Sequence, residues 1–276
     1  MFGGDVMRRL YKILVCGMLI WLLGGMSILM AAPLVEIDAS DTSKGLVHVT
    51  YQGTTSKRLK VMIEKGDKKY TYDLDEQGKR ESFPLQMGSG IYQIKCLQNV
   101  QGQSYALIES ESLEVKLDSE EGVYLNSIQN INWSKDSQPI IYAASLAKQV
   151  KEYSKKMSTL YSYMVGGTYT YDYDKLATLS TGYIPNIDAT YKDKTGICYD
   201  FSALYSAMLR SLGIPAKLVK GYATTAEGYH AWNEVYDFNK KQWLIVDTTY
   251  DLQVNKVKVK VKMIKEAKDY QKVNEY

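Results

Sequence analysis

Three residues near the C-terminal end of this 276-residue chain could together carry out acyl transfer: Cys198, His230 and Asp247. A thiolate attacks carbonyl carbon, an imidazole moves protons near neutral pH, and a carboxylate fixes the tautomer of that imidazole. Residues 195–215 predict the helix that would position the cysteine. Phe201, Leu204, Tyr205, Met208, Leu209 and Leu212 fall at helical spacing, and Gly213 and Pro215 end the run. Cys198 sits in the first turn, off that apolar stripe. A helix N-terminus carries partial positive charge and free N–H groups, which favour thiolate and can hold a developing oxyanion. Position alone is equally consistent with an inert packing thiol.

Three strands are expected next, over 216–224, 229–238 and 242–250. The last two are joined at Asn239-Lys240-Lys241 and should pair as an antiparallel hairpin. His230 lies near the start of one strand and Asp247 toward the end of the other, and opposite ends of a hairpin meet. A single histidine on a strand is usually an ordinary polar residue, and Asp247 also reads as a strand-end turn residue. Taken with Cys198, the pair supplies a base and the group that orients it.

In order, GICYDFSALYSAMLRSLGIPAKLVKGY, GYHAWNEVY and WLIVDTTYD resemble the core of the transglutaminase-like superfamily. The shared pattern is Gly-x-Cys opening a helix, a Gly-Ile-Pro-Ala exit, a His-Ala-Trp strand and an Asp-x-Thr strand. It runs from about Ser137 to Asp251 and includes the Tyr171-Asp172 pair, but it does not extend to residues 33–117. The resemblance implies a papain-like α+β fold with the cysteine helix packed on an antiparallel sheet. It also implies roles: Cys198 as nucleophile, His230 as general base and acid, and Asp247 as its orienting partner. The chemistry implied is attack on an amide, a thioester, and release to water or to a second amine. In this family the oxyanion is held by the cysteine N–H and a side chain upstream of it, for which Tyr183 and Tyr191 are the candidates. By alternation Trp232 shares a sheet face with His230, where it walls the site, shields the ion pair or simply fills core. No metal ligand set and no cofactor are expected. No EF-hand-like or acid-rich loop points to a calcium-dependent crosslinker.

The rest of the chain sets the context. Arg8, Arg9 and Lys12 precede an uncharged apolar run over 13–32 that ends in Ala31 and Ala32. This is the pattern of a signal peptide, and the run is also long enough for a retained membrane anchor. Either way the working part is expected outside the cytoplasm, secreted or in the cell envelope, with membrane contact only through this segment. The formal charge is +3, falling to about +1 without residues 1–32, so no nucleic-acid partner is implied. Short alternating runs between 34 and 117 predict a small antiparallel β-sandwich, giving a domain at 33–118 ahead of a catalytic domain at 119–276. Cys96 shares a face with Ile94 and Tyr92 and reads as a buried thiol. His48 reads as standing on the wet face without partners.

Helices are expected through Ile140, Ile141, Ala144, Ala147 and Val150 after Ser137 and Pro139, and through Met157, Leu160, Tyr161 and Met164 up to Gly166-Gly167. Residues 168–196 read as one long Tyr-rich loop. Residues 254–262, alternating Val and Lys, read as a protected edge strand or, less favoured, as a contact for an anionic wall polymer. The function expected is acyl transfer on proteins or peptides, by hydrolysis or crosslinking. The alternative is a non-catalytic envelope binding or structural protein with a vestigial triad.

Overall fold

The computed structural model describes residues 33–75, 77–255 and 261–276. The signal or anchor expected over 1–32 lies outside these residues. No helix among the described residues is long and apolar enough to cross a membrane.

The N-terminal run of alternating residues forms seven strands: β1 (Val35–Asp38), β2 (Leu46–Tyr51), β3 (Leu59–Lys65), β4 (Lys68–Asp73), β5 (Glu81–Pro84), β6 (Gly90–Gln101) and β7 (Ser104–Val115). They build two antiparallel sheets, ordered β1-β2-β5 and β4-β3-β6-β7. Period-2 alternation sends one face inward: Val47, Val49, Val61, Ile63, Phe83, Tyr92, Ile94 and Cys96 are all fully buried in one apolar cluster. The alternating residues from Ser104 to Val115 form one long strand, β7. The four-residue β5, ending in Pro84, carries too little periodicity to be read in advance; its pairing with β2 defines it. His48 departs from expectation. It is buried, with Nδ1 2.8 Å from Ser82 Oγ and Nε2 3.1 Å from Asp41 Oδ2. The face opposite the sandwich core is covered too, which alternation within one strand does not reveal.

The second half contains α1 (Gln138–Ala147), α2 (Tyr153–Val165), β8 (Thr170–Tyr171), α3 (Tyr173–Ala177), α4 (Ile187–Asp193), β9 (Thr195–Gly196), α5 (Cys198–Ser211), β10 (Ala216–Ala223), β11 (Tyr229–Asp237), β12 (Gln242–Val246), α6 (Thr248–Asn255) and β13 (Tyr270–Glu275). In α1 the buried stripe is Pro139, Ile140, Ala143 and Ala147, so Ile141 and Ala144 face outward. Helix α5 is apolar or buried nearly all round, as befits a central helix. It packs on an antiparallel sheet ordered β12-β11-β10-β13, the α+β arrangement expected.

Residues 168–196 are not one loop. Asp172 and Asn186 accept the backbone N–H of Lys175 and Ala189, starting α3 and α4. β8 and β9 pair in parallel over two residues each, too short for any periodic signal. Residues 254–255 close α6 instead of opening an edge strand. The remainder of the Val/Lys run, 256–260, lies outside the described residues. Residues 34–276 form one compact unit holding two apolar cores.

Candidate active site

The cysteine helix begins at a tightly specified point. Ile197 is extended, and Cys198 is the first helical residue and only 8% exposed. Asp200 turns its fully buried carboxylate back to accept the Ile197 N–H at 2.9 Å, so a negative group meets the positive end of the helix. Lys175 donates to the same oxygen at 2.6 Å, and the Tyr183 hydroxyl donates to the other oxygen. These contacts tie the 172–183 segment across the helix start. They also explain Gly196, where a Cβ would stand 2.8 Å from Asp200 Cβ.

His230 reaches the site from β11. Its Nε2 donates to Asp247 Oδ2 at 2.8 Å, and the imidazole lies close enough to Cys198 for the two side chains to interact. Burial alone would depress the imidazole. The hydrogen bond to Asp247, the contact with Cys198 and the charges of both partners outweigh burial and raise it to about 10. The ring is therefore cationic at neutral pH.

Asp247 sits between β12 and α6, not within a strand. It accepts the Tyr250 N–H at 2.9 Å through Oδ1, capping α6, while Oδ2 takes both His230 and the Tyr270 hydroxyl, the latter at 3.0 Å. Asp247 thus starts a helix, as a turn residue would, and hydrogen-bonds His230 with the same carboxylate. Trp232 is buried, with its ring centroid 6.2 Å from that of His230 and 5.1 Å from Tyr270. It fills core beside this hydrogen-bonded group.

The two tyrosines expected to face the thiol are placed elsewhere. The Tyr183 hydroxyl is committed to Asp200, and its ring lies under Lys175 Nζ at 4.6 Å. Tyr191 joins Tyr142 and Tyr163, with Lys194 Nζ 3.5 Å from its centroid. The upstream side chain that does reach Cys198 is Tyr171. Its β8 position opposite Gly196 brings the hydroxyl close enough to interact with the Cys198 backbone and side chain. Burial and the Cys198 charge push this phenol well above its ordinary value, so it stays a donor. The Tyr171-Asp172 pair is visible in the sequence, whereas nothing there marks Tyr270, which follows the undescribed 256–260 segment.

Among the described residues, no cluster of three or more His, Cys, Asp or Glu side chains is arranged to hold a metal. A polar cleft of about 700 Å³, lined in part by Arg80, Ser82, Trp133 and Asp188, contains none of the residues above.

A cysteine at a helix N-terminus, a cationic histidine and a buried carboxylate are the residue types that cysteine acyl-transfer chemistry draws on. The family model described as the transglutaminase-like superfamily core matches residues 142–248, which include all three. The chain carries a transglutaminase-like domain. Over 167 residues it is 26% identical to the uncharacterized protein YebA of Bacillus subtilis (strain 168), a match covering 52% of this chain and 22% of that protein. The chain thus spans about a fifth of the curated relative. Similar solved structures include the periplasmic domain of TgpA from Pseudomonas aeruginosa (14% identity, TM-score 0.39, 83% of this chain and 97% of that one). Another is Legionella pneumophila LapG in its EGTA-treated form (18%, 0.38, 52% and 75%). A third is red sea bream transglutaminase (13%, 0.33, 74% and 48%).

Proposed function

We propose that this protein is an exported cysteine-dependent enzyme acting on amide bonds of proteins or peptides through a thioester. The observation that carries the reading is the His230–Asp247 hydrogen bond with Cys198 beside the imidazole at the start of α5. In this reading the Cys198 sulfur adds to the amide carbonyl, and the oxyanion is met by the Cys198 N–H and the Tyr171 hydroxyl. His230 gives its proton to the departing amine as the C–N bond breaks, leaving the thioester. Water or a second amine then adds, His230 takes its proton, and the thiolate leaves. Asp247 and Tyr270 hold the imidazole in register throughout. We also propose that residues 33–118 form the sandwich domain and 119–276 the catalytic one. Export rests on the sequence of residues 1–32.

The test compares wild type with Cys198→Ala on a generic protein substrate, with and without a fluorescent primary amine. New peptide termini identify a hydrolase and amine incorporation a transferase, and either must vanish in Cys198→Ala while the fold persists. No turnover by wild type, or equal turnover by both proteins, removes the reading.

A further inference from the structure

Lys220 stands beside this site without a counter-ion among the described residues. On β10 it lies opposite Ala231, next to the Gly221–His230 pair. Cross-strand partners share a face, and α5 covers this one: Asn233 donates to the Ser202 carbonyl and to Ser206 Oγ. Because α5 begins at Cys198, the end of the face beyond its first turn is left to Lys220. Its Nζ is 3.5 Å from the Tyr199 ring centroid and 5.3 Å from that of Tyr276, and it is close enough to Cys198 for their charges to interact.

Other lysines drawn into this half of the molecule meet carboxylates: Lys175 meets Asp200, Lys217 meets Glu275, and Lys265 meets Asp251. Among the described residues Lys220 makes neither an ion pair nor a hydrogen bond. Partial burial lowers its ammonium to about 8, so at neutral pH most of it is a half-buried cation with ring faces and a cysteine beside it. Half-exposed Tyr222 and Tyr229, packed edge to face at 5.6 Å, extend the same face outward.

We propose that Lys220 is a specificity residue that selects acyl donors bearing a carboxylate beside the carbonyl attacked by Cys198. Such a carboxylate completes the missing ion pair through a charge-assisted hydrogen bond, while the tyrosines cover the adjoining carbon chain. The inference rests on Cys198 being the nucleophile.

Two alkylating reagents of nearly equal size test it: anionic iodoacetate and neutral iodoacetamide, with labelling at Cys198 followed by mass spectrometry. Wild type should favour iodoacetate, and in Lys220→Met the iodoacetate-to-iodoacetamide rate ratio should fall about tenfold, the worth of one hydrogen bond to a charged group. Lys220→Arg should keep most of the preference. The cationic His230 attracts iodoacetate in all three proteins and divides out. Buried Cys96 reports folding: it should stay unlabelled throughout. A ratio unchanged by Lys220→Met, with Cys198 still reacting fast, overturns the role of Lys220 alone. Cys198 reacting no faster than Cys96 with either reagent overturns the nucleophile reading beneath it.

The source of the carboxylate is read by protecting Cys198 from iodoacetamide with two peptides, one containing Glu with an amidated C-terminus and one neutral with a free C-terminus. Protection by either that is lost in Lys220→Met identifies the source. Protection by neither, or equal protection in both proteins, counts against the inference.

Discussion

Replacing Asp247 with Asn should return His230 to a neutral imidazole, and the change can be followed directly because the chain has only two histidines. In the wild type His230 is raised from 6.5 to about 10, which corresponds to about 5 kcal/mol of preference for the protonated ring. Asp247 and Cys198 supply that preference against burial. The substituted amide keeps the size and the hydrogen-bond acceptor but removes the charge, while burial, the largest single influence, stays. With Cys198 left as the main opponent of burial, His230 is then expected to titrate far below its wild-type value, back toward 6.5. The assay is histidine-selective NMR across about pH 5–11, a range that brackets both values, with His48 as internal reference: burial and the Arg80 charge hold His48 below its usual value. Cys198→Ala separates the remaining contribution, since there Asp247 alone must keep His230 above 6.5. The raised value also sets a stability window. Its contribution is fully present below 6.5 and is lost as pH rises toward 10, so wild type should lose stability across that interval and Asp247→Asn should not. His230 still titrating above neutrality in Asp247→Asn would refute the claim that the carboxylate sets its charge.

Two further substitutions probe the parts around it. Tyr171→Phe keeps the ring but removes the hydroxyl beside the Cys198 N–H. It should lower kcat by about 10²–10³ with little change in KM, as for loss of one oxyanion donor, read from steady-state kinetics on whichever substrate the amine and termini assay identifies. Gly221→Ala drives a Cβ into the Gln271 carbonyl, and the new atom would lie 2.9 Å from Trp232 Cη2, where β13 shifts register against β10. It should cost about 1–3 kcal/mol of stability in urea denaturation and loosen the Tyr270–Asp247 contact.

Much of the fold is legible because it rests on local periodicity. Six of the seven sandwich strands, helices α1, α2 and α5, and the β11–β12 hairpin all show apolar residues at period 2 or 3.6, with turn residues between them. β5, β8, β9, α3 and α4 escape that reading. The two-residue β8 and β9 are too short to show any period, and these elements are fixed by partners such as the Asp172 and Asn186 caps and the Tyr171–Gly196 pairing. His48 escapes it for a related reason. Alternation along β2 separates two faces but does not say whether the second is covered by another segment.

The sequence by itself determined which residues could do the chemistry. Cys198, His230 and Asp247 are distinctive residue types at recognisable places in a helix start and a hairpin, and those places are set by neighbours a few positions away. Only the tertiary structure decided what surrounds them. Tyr171 rather than Tyr183 or Tyr191 meets Cys198, Tyr270 shares Asp247 with His230, and Lys220 is left without an acid among the described residues. Each of these contacts joins segments far apart in the chain. Periodicity fixes which face a side chain occupies, and the crossing of distant segments fixes what that face meets.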